Sequence, residues 1–498
     1  MKHRVLAALL AVILFVTAVP AAFAFAYTPE QQRSLLYEVD QIIREEGLES
    51  WEEDAPLERA LLKKLRTVPA DETLLEKLAA DPVLYEELLA IMLSGYDSHT
   101  MYLPSGTYTA AFDPETNYVG VGVTIQAHRQ GALVTDVNLK GPAFAAGIRM
   151  GDILTAADGQ ALRGMDVSAI STLLRGEAGT AVTVEVLREG QALTFSLTRA
   201  ALVQMNYSGA PLDEDVFYMK WSRIQDDGSY WMFRLQLAQM VREGYECLIL
   251  DLRDNPGGSL DLAFTMATDL MEDKGSFFRT MSRDPLGRQD LKTEYIIADG
   301  DGADVPHIYV LVNENSASAS EIIAVSLRDK EDATLVGETT FGKGRAQQHY
   351  ILETDAGIVL TTMMLLPLEG EDYEGVGIAP HVTVENTLLK GEADRVPVDT
   401  ALSLWSCSDN GEALNRALLA LGLLEALPEK PYQVTGETLN ACHLLEALYF
   451  GRGGSGAVDC DTLRLVNYLL DLQEQGLYEL DVQLLTAMDL AKQALKSE

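Results

Sequence analysis

The chain is poor in cysteine. Its 498 residues include four cysteines, which lie at positions 247, 407, 442 and 460. They are too few for a disulfide framework in a chain of this length, and none has the spacing of a metal-ligand motif. The sequence therefore predicts neither a disulfide-stapled fold nor a metal site, although one pair among the last three remains a candidate bridge.

Positive charge is also scarce. Lysine and arginine number 38 against 75 aspartates and glutamates, and the formal net charge is -37. A surface of this charge repels phosphate groups, so nucleic acid is excluded as an expected partner. The shares of hydrophobic (47%) and charged (23%) residues are nevertheless normal for folded proteins. Together with the length, they predict several domains rather than a disordered chain.

Long apolar runs are absent beyond the first 26 residues. There, three basic residues precede an apolar run at 5–19, and small residues follow at 22–26. This order is typical of an export signal and predicts an extracytoplasmic protein, either secreted or attached at the cell envelope. The run is also just long enough for an uncleaved anchor, so membrane attachment through the N-terminus stays open.

Two common hydrolase motifs are missing, namely Gly-x-Ser-x-Gly and His-Glu-x-x-His. None of the seven histidines lies in such a pattern. His307 precedes a strand-like run and His349 lies near the lysine loop considered below, so either could serve a histidine-based triad. Structural roles are more common for such histidines, and this triad is the weaker alternative.

Secondary-structure patterns divide the chain into regions. Residues 31–45 and 72–93 carry apolar side chains at helical spacing, whereas residues 117–199 form short β-rich runs. Residues 213–386 alternate strands with helices, which is typical of a layered α/β core. The predicted order is a signal or anchor at 1–26, a helical region at 27–112, a β-rich domain at 113–200, an α/β core at 201–388 and a helical domain at 389–498.

The strongest chemical signal is a serine-rich turn, VNENSASASE, at 312–321. It follows an apolar strand and opens an apolar helix. Its serines, Ser316, Ser318 and Ser320, have an ordinary explanation as helix caps, because a hydroxyl there satisfies a free backbone N–H group. A serine hydroxyl also becomes a nucleophile when a neighbouring base removes its proton.

A candidate base lies in the segment GETTFGKG at 337–344, where Lys343 stands between two glycines. Lysine can act as a general base when burial lowers its pKa toward neutrality. The glycines would let the backbone pass close to the nucleophile, although a surface turn could have the same composition.

Donors for a developing oxyanion are available in the run LDLRDNPGGS at 250–259. It ends an apolar strand in a Pro-Gly-Gly turn that leads into a helix. Exposed backbone N–H groups at such a turn can bind negative charge, as can the amide of Ala319 at the start of its own helix. An ordinary strand-to-helix turn is the alternative interpretation.

Three segments together resemble the carboxyl-terminal processing peptidases, a family of Ser-Lys endopeptidases with an inserted PDZ domain. They are SASASE, FGKG with a glutamine four positions after the lysine, and DLR-x-NPGG. The family spacing of 25 residues between nucleophile and lysine (343 − 318) implies that Ser318 is the nucleophile and Lys343 the base. The resemblance also implies that Gln347 orients the lysine.

The same resemblance assigns the oxyanion donors to Ala319 and the Pro-Gly-Gly turn, with Gly258 preferred over Gly257. It implies a crotonase-like layered α/β fold for the protease core. The match departs from the family at His381, where an aspartate is usual. Because this position is far from the motif residues in sequence, no effect on catalysis is expected.

The β-rich domain is similar to the PDZ domain of that family. The run YVGVGV at 118–123 matches the carboxylate-binding loop, and GPAFAAGIRMGD at 141–152 matches the helix and turn beyond it. A PDZ domain adds the incoming peptide as an extra strand. The resemblance therefore implies capture of a protein substrate by its C-terminal tail, and gating of the active site. The implied peptide-binding residues are Val119, Gly120, Val121 and Gly122.

The last hundred residues carry a fainter resemblance. Residues 411–422 and 456–462 are similar to the peptidoglycan-binding helical module that follows the protease core in some family members. Peptidoglycan is therefore a candidate partner, and a packing domain without a ligand is the alternative. A homo-oligomer is neither indicated nor excluded.

The sequence thus predicts an exported serine endopeptidase that cleaves protein substrates at or near their C-termini, without a metal or an organic cofactor. One alternative is a non-catalytic extracytoplasmic adaptor of the same fold that binds peptides through its PDZ domain. The presence of both Ser318 and Lys343 weighs against it. The other alternative is an acyl-CoA enzyme, because the core resembles the crotonase fold, and the export signal weighs against this one.

Overall fold

The computed structural model describes residues 28–48, 74–104 except 82 and 95, 108, 118–202 except 139, 150 and 189, 206–284 except 226, 291–352, 356–454 except 371, and 456–497. The expected export signal or anchor at 1–26 lies outside these residues. Within the described ranges, no helix is both long enough and apolar enough to cross a membrane.

The α-helices of the described residues are, in chain order, α1 (Pro29–Glu46), α2 (Leu74–Ala80), α3 (Leu84–Ser94), α4 (Pro142–Ala146), α5 (Val167–Leu174), α6 (Asp227–Glu243), α7 (Leu260–Asp269), α8 (Ala319–Lys330), α9 (Asp409–Ala420), α10 (Gly436–Leu445), α11 (Cys460–Glu474) and α12 (Val482–Ser497). A π-helix, Glu446–Phe450, continues α10.

The strands are β1 (Met101–Leu103), β2 (Tyr118–Gly120), β3 (Val123–His128), β4 (Gly131–Val137), β5 (Ile153–Ala157), β6 (Gln160–Ala161), β7 (Ala181–Arg188), β8 (Gln191–Thr198), β9 (Ala200–Leu202), β10 (Tyr207–Pro211), β11 (Val216–Trp221), β12 (Cys247–Asp251), β13 (Gly275–Arg283), β14 (Leu291–Ala298), β15 (His307–Val312), β16 (Thr334–Gly337), β17 (Arg345–Leu352), β18 (Ala356–Pro367), β19 (Val382–Thr383), β20 (Thr387–Leu388), β21 (Leu402–Ser403), β22 (Ala457–Val458) and β23 (Glu479–Leu480).

The chain divides into two compact units. The described residues of Met1–Glu115, Gly275–Ala298 and Gly342–Val376 form unit 1. Those of Thr116–Lys274, Asp299–Phe341 and Gly377–Glu498 form unit 2. The chain therefore passes from one unit to the other several times, and the region predicted as the core contributes strands to both.

Unit 1 is built on an antiparallel sheet with the strand order β1-β18-β13-β14, in which β17 also pairs with β18. Helix α1 carries buried Leu36, Val39 and Ile43 at helical spacing. These side chains belong to one apolar cluster with Ile358 and Leu360 of β18. The core of unit 1 therefore lies between the helices and the sheet.

The helical pattern at 72–93 is divided into two helices, α2 and α3. The sequence has Pro82 between them. Proline lacks the N–H group that a helix interior requires, and its ring clashes with the preceding turn. The apolar spacing alone gave no sign of this break.

Unit 2 contains a six-stranded sheet in the order β10-β11-β12-β15-β16-β19. Strand β10 is antiparallel to β11, and all other neighbours are parallel. All five residues of β12 are buried, as expected for a parallel strand that is covered on both faces. Tyr218, Ile249 and Leu311 share one apolar cluster with Leu484 and Ala487 of α12.

The topology of this sheet brings three sequence motifs to one edge. Strands β12, β15 and β16 are parallel neighbours, and each is followed by one of the turns singled out above. Carboxyl ends of parallel strands meet at the same edge of a sheet, which is where α/β proteins usually bind ligands. The Pro-Gly-Gly turn, the serine turn and the start of the lysine segment therefore leave the sheet on the same side.

The β-rich region of unit 2 is an antiparallel sheet in the order β3-β4-β5-β7-β8, with β6 paired to β5. Strand β3 lies at its edge. This sheet and the helices after 388 share one hydrophobic cluster. Within it, the ring of Phe144 in α4 lies edge-on to the ring of Tyr468 in α11, with 6.4 Å between centroids.

The predicted multidomain α/β architecture with mixed helices and sheets is confirmed, and the crotonase-like layering stays a prediction. The candidate disulfide is not formed. None of the four cysteines takes part in a disulfide: Cys247 and Cys442 are buried, Cys407 is exposed and Cys460 is half-buried.

Candidate active site

The three serines of the turn after β15 differ in what their hydroxyls do. Ser316 Oγ donates to the carbonyl of Leu252 at 2.8 Å, and Ser320 Oγ donates to the carbonyl of Asn255 at 3.0 Å. Both bonds are buried and tie the turn to the segment after β12. Within the described residues of unit 2, the hydroxyl of Ser318 donates to no backbone carbonyl. The structure therefore separates two serines whose hydroxyls donate to backbone carbonyls from one that takes part in the capping box of α8.

Ser318 also has an unusual backbone conformation. It is the residue before α8, with φ 56° and ψ −116°, and its exposed fraction is 8%. A non-glycine residue in such a sparsely populated region costs about 1–3 kcal/mol and persists only when its surroundings hold it. Here the N–H group of Ser318 donates to Glu321 Oε2 at 2.8 Å. The buried carboxylate of Glu321, one helical turn further on, therefore holds the backbone of Ser318 in this conformation.

Glu321 is fully buried, and its other oxygen accepts the hydroxyl of Thr340 at 2.5 Å. The Thr340 hydroxyl in turn accepts the N–H group of Ile378 at 2.7 Å. Phe341 donates its N–H group to the carbonyl of Ser316 at 3.0 Å. The segment after β16 is thus bonded to the serine turn through both side chains and backbone.

The Pro-Gly-Gly turn after β12 approaches the same serine. A Cβ atom on Gly257, whose φ is 95°, would come within 2.9 Å of Ser318 Cβ and within 2.8 Å of the Ala319 nitrogen. Only glycine fits such a close approach. The N–H group of Gly257 is already used, because it donates to Asn255 Oδ1 at 2.9 Å.

The N–H group of Gly258 points to the side of the chain opposite Ile224. Ile224 donates to the carbonyl of Gly257 at 3.0 Å and accepts from the N–H group of Ser259 at 2.6 Å, which makes a parallel bridge opposite Gly258. In such a bridge the N–H group of the central residue points away from its partner. Neither Gly258 nor Ala319 donates a hydrogen bond to a described residue of unit 2.

A buried ion-pair network lies beneath the Pro-Gly-Gly turn. The Arg253 guanidinium, 7% exposed, donates to both oxygens of Asp251 at 2.9 and 2.7 Å, and Tyr218 donates to the same carboxylate at 2.6 Å. Burial would raise the pKa of Asp251, but the charges of Arg253 and Lys220 outweigh it and hold this pKa well below its usual range. The network therefore fixes the DLR segment with the Asp251 carboxylate ionised.

Lys343 is the second residue of the next stretch of unit 1, Gly342–Val376, and is half-buried. The loop that carries it is clamped on both sides. The carbonyl of Gly342 accepts the N–H group of Gly375 at 2.8 Å, and the N–H group of Gly344 donates to Glu374 Oε2 at 2.8 Å. The other oxygen of Glu374 lies 2.8 Å from His99 Nε2. These contacts fix the backbone on either side of the lysine.

Gln347 lies on β17, four residues after the lysine. Its amide nitrogen donates to the carbonyl of Arg345 at 3.1 Å and to the Thr361 hydroxyl at 3.4 Å. Neither bond reaches Lys343, so the orienting role of Gln347 stays a prediction.

The histidines considered as alternative bases are placed differently. His307 is the first residue of β15, whereas the serine turn follows its last residue. A strand of this length spans about 17 Å, so His307 lies at the wrong end. The Nδ1 atom of His349 lies 3.1 Å from the Tyr108 hydroxyl, and partial burial and the charge of Lys343 lower its pKa.

His381, where the resemblance leads one to expect an aspartate, pairs with the start of β16. Its Nδ1 atom accepts the N–H group of Leu335 at 3.0 Å, and its own N–H group donates to the Leu335 carbonyl at 2.9 Å. A carboxylate could accept the same bond, so the exchange preserves the local structure.

The region expected to bind peptides contains a cavity of about 190 Å³ beside β3. Its lining is mainly apolar and comprises Gly120, Val121, Gly122, Val123, Ile125, Ser171, Leu174, Arg175 and Leu202. Val119, which pairs with Ala201 between β2 and β9, is not part of this lining. The other three residues expected in the loop, Gly120, Val121 and Gly122, do line it.

Sequence reasoning missed Glu321, Thr340 and Glu374. The spacing of Glu321 three residues after Ser318 is that of a capping box and could have pointed to it. Nothing local marks Thr340 or Glu374. In the part of the chain that the structure describes, no group of three or more histidine, cysteine or acidic side chains is arranged to hold a metal ion.

Comparison with known proteins adds a family to this geometry. The profile of peptidase family S41 matches residues 215–384, and that of the PDZ domain matches residues 119–198. The carboxyl-terminal-processing protease of Synechocystis sp. is 30% identical over 321 residues, which is 63% of this chain and 73% of that protein.

The carboxy-terminal-processing protease of Bartonella bacilliformis is 28% identical over 317 residues, 62% of this chain and 71% of that protein. Among solved structures, the photosystem II D1 C-terminal processing protease aligns with a TM-score of 0.44 at 23% identity, over 71% of this chain and 93% of that chain.

Proposed function

The chain belongs to peptidase family S41, with the carboxyl-terminal processing proteases, and we propose that it is an exported endopeptidase with Ser318 as nucleophile and Lys343 as general base. One observation carries the choice of nucleophile. Of the three serines in the turn, Ser316 and Ser320 donate their hydroxyls to backbone carbonyls, whereas Ser318 donates to none among the residues that the structure describes.

Chain connectivity supports Lys343 as the base. Phe341 donates its N–H group to the carbonyl of Ser316 in the serine turn. Lys343 is two residues further along the chain, and two residues span at most about 7 Å. Covalent geometry alone therefore limits how far the lysine backbone can lie from the turn.

The proposed reaction is acyl transfer to serine. The neutral amine of Lys343 takes the proton from Ser318 Oγ as this oxygen attacks the carbonyl carbon of the scissile peptide bond. The carbonyl oxygen becomes an oxyanion and accepts from the N–H groups of Gly258 and Ala319. Collapse breaks the C–N bond, and the lysine returns its proton to the leaving amine. Water then hydrolyses the ester by the same steps.

The choice of Gly258 over Gly257 has physical support. An oxyanion donor must have an N–H group that is not already bonded. Gly257 donates to Asn255, whereas the bridge with Ile224 turns the N–H group of Gly258 the other way. Gln347 completes the proposed site by holding the amine of Lys343 toward the serine.

The PDZ domain is proposed to capture the C-terminal tail of a protein substrate. Strand β3 is an edge strand, so its open side can pair with an extended peptide. The adjacent cavity of about 190 Å³ is lined by Val121, Ile125 and Leu174 among others, which suits an apolar terminal side chain. Gating of the active site by this capture is part of the proposal.

The proposed location is extracytoplasmic, secreted or attached at the cell envelope through the N-terminus. It rests on the residue pattern at 1–26. Peptidoglycan and a second copy of the chain remain candidate partners, and the crotonase-like layering of the core is part of the same proposal.

Digestion of casein by the full chain tests the proposed function. Ser318→Ala and Lys343→Ala should each abolish hydrolysis while the circular dichroism spectrum and thermal unfolding midpoint stay close to those of the wild type. Retained hydrolysis by Ser318→Ala would refute the assignment of the nucleophile. A folded wild type that hydrolyses no casein and reacts with no serine-directed probe would favour the adaptor.

A further inference from the structure

We propose that Thr340 is a positioning residue that fixes both the nucleophile turn and the start of the lysine loop. The proposal rests on the proposed function, since it concerns how Ser318 and Lys343 are held. Thr340 is not one of the residues that act on the substrate. It acts by orienting Glu321 and by fixing the backbone that leads to Lys343.

The Thr340 hydroxyl both donates and accepts a hydrogen bond. It donates to Glu321 Oε1 at 2.5 Å and accepts from the N–H group of Ile378 at 2.7 Å. Thr340 is 4% exposed and Glu321 is fully buried, so water does not compete for these bonds. Hydrogen bonds to a carboxylate in such surroundings are short and directional.

Glu321 passes this restraint to the nucleophile. Its second oxygen accepts the N–H group of Ser318 at 2.8 Å. With one oxygen fixed by Thr340, the carboxylate cannot rotate without breaking a bond. The hydrogen bonds that link Thr340 to Glu321 and Glu321 to Ser318 therefore hold Ser318, which is strained at φ 56°, in the orientation from which its hydroxyl acts.

Thr340 also fixes the path of the chain toward Lys343. Its N–H group donates to the Ile378 carbonyl at 3.1 Å, and the next residue, Phe341, bonds to Ser316. Two successive residues are thus tied down immediately before the lysine loop. Gly377, with φ 81°, permits this packing, because a Cβ atom there would lie 2.2 Å from the Thr340 carbonyl oxygen.

The competing explanation is that Thr340 merely satisfies buried polar groups. The same chain supplies a matched control for that explanation. In the helical region, Thr462 is fully buried and its hydroxyl donates to Glu446 Oε1, also at 2.5 Å. Thr462 thus pairs a buried hydroxyl with a buried glutamate, as Thr340 does, but it lies outside the proposed site and also contacts Asp459 Oδ1 at 2.9 Å.

The test compares Thr340→Val, which keeps the shape and loses the hydroxyl, with Thr340→Ser, which keeps the hydroxyl, and with the control Thr462→Val. Fluorescent casein gives kcat and KM, and a fluorophosphonate probe gives the labelling rate of the nucleophile. We expect Thr340→Val to lower kcat and the labelling rate by about 10- to 100-fold with little change in KM. Thr340→Ser should restore most of this loss, and Thr462→Val should keep the wild-type kcat.

Three results would overturn the proposal: a wild-type kcat in Thr340→Val, no recovery in Thr340→Ser, or an equal loss in Thr462→Val. If Thr340→Val does not fold, Thr340→Cys takes its place, because a thiol is a poor donor of similar size to the serine hydroxyl. A kcat for Thr340→Cys equal to that of Thr340→Ser would then contradict the proposal. Activity of Ser318→Ala in the same assay would instead refute the proposed function itself.

Discussion

Asp481 accepts two hydrogen bonds from the guanidinium of Arg253, at 2.6 and 2.8 Å, although 228 positions separate the two residues. Arg253 belongs to the DLR segment after β12, and Asp481 immediately precedes α12. The pair therefore joins the end of the chain to the strand whose following turn supplies the proposed oxyanion donor.

The first prediction concerns this ion pair. Asp481→Asn should destabilise the protein by about 1–3 kcal/mol, because one charge-assisted contact of a buried arginine is weakened. Chemical unfolding followed by circular dichroism measures the change. Asp489→Asn, an exposed carboxylate on the same helix, should stay within about 0.5 kcal/mol of the wild type. Equal effects of the two substitutions would show that the ion pair contributes nothing specific.

The second prediction is a pH dependence of stability. The pKa of Asp251 is lower in the folded state than the value of about 3.9 expected for the unfolded chain. The stability from its charged form is therefore fully present above that value and is lost as the pH falls below it. Unfolding midpoints between about pH 5 and pH 2 should fall more steeply for the wild type than for Asp251→Asn. Parallel curves would contradict the assigned ionisation.

The third prediction concerns the clamp on the lysine loop. Glu374→Ala removes the acceptor of the Gly344 N–H group and should lower kcat by about 10-fold, because the lysine is then less well placed. Glu374→Gln keeps an acceptor oxygen and should retain most of the activity. Glu369→Ala, which removes an exposed carboxylate of the same unit, serves as the control. Similar kcat values for Glu374→Ala and wild type would exclude a role for the clamp.

The fourth prediction addresses substrate capture. A peptide ending in valine with a free carboxylate should bind the inactive Ser318→Ala protein at least about 10-fold more tightly than the same peptide with a C-terminal amide, because loop N–H groups bind the carboxylate. Fluorescence anisotropy measures both affinities. Equal affinities would remove the C-terminal tail as the recognised feature.

Changing the ligand is safer here than deleting the PDZ domain. Phe144 of this domain packs edge-on against Tyr468, and the two regions share one hydrophobic cluster. Deletion would expose that cluster, and altered cleavage could then reflect misfolding rather than lost recognition.

Much of unit 2 was predictable because its signals are local. The apolar run after His307 lies in β15, and the serine turn precedes a helix that begins at Ala319, one residue after Ser318. The three motif segments also follow neighbouring parallel strands. An apolar run followed by a strand-to-helix turn can be recognised from neighbouring residues alone.

The sheet of unit 1 was not predictable in the same way. Strand β18 pairs with β1, β13 and β17, which come from three distant parts of the chain. Local patterns do not reveal which distant strands will pair. For the same reason the roles of Thr340 and Glu374 were missed, since a threonine before a glycine loop and a glutamate in a turn carry no signal until tertiary contacts give them partners.

The most direct test of the central claim is to react the full chain with a fluorophosphonate and map the adduct by mass spectrometry. The account predicts a single adduct on Ser318 in the wild type, with labelling slowed by at least about 100-fold in Lys343→Ala, since an unaided serine hydroxyl is a weak nucleophile. An adduct on another residue, or an unchanged labelling rate in folded Lys343→Ala, would contradict it.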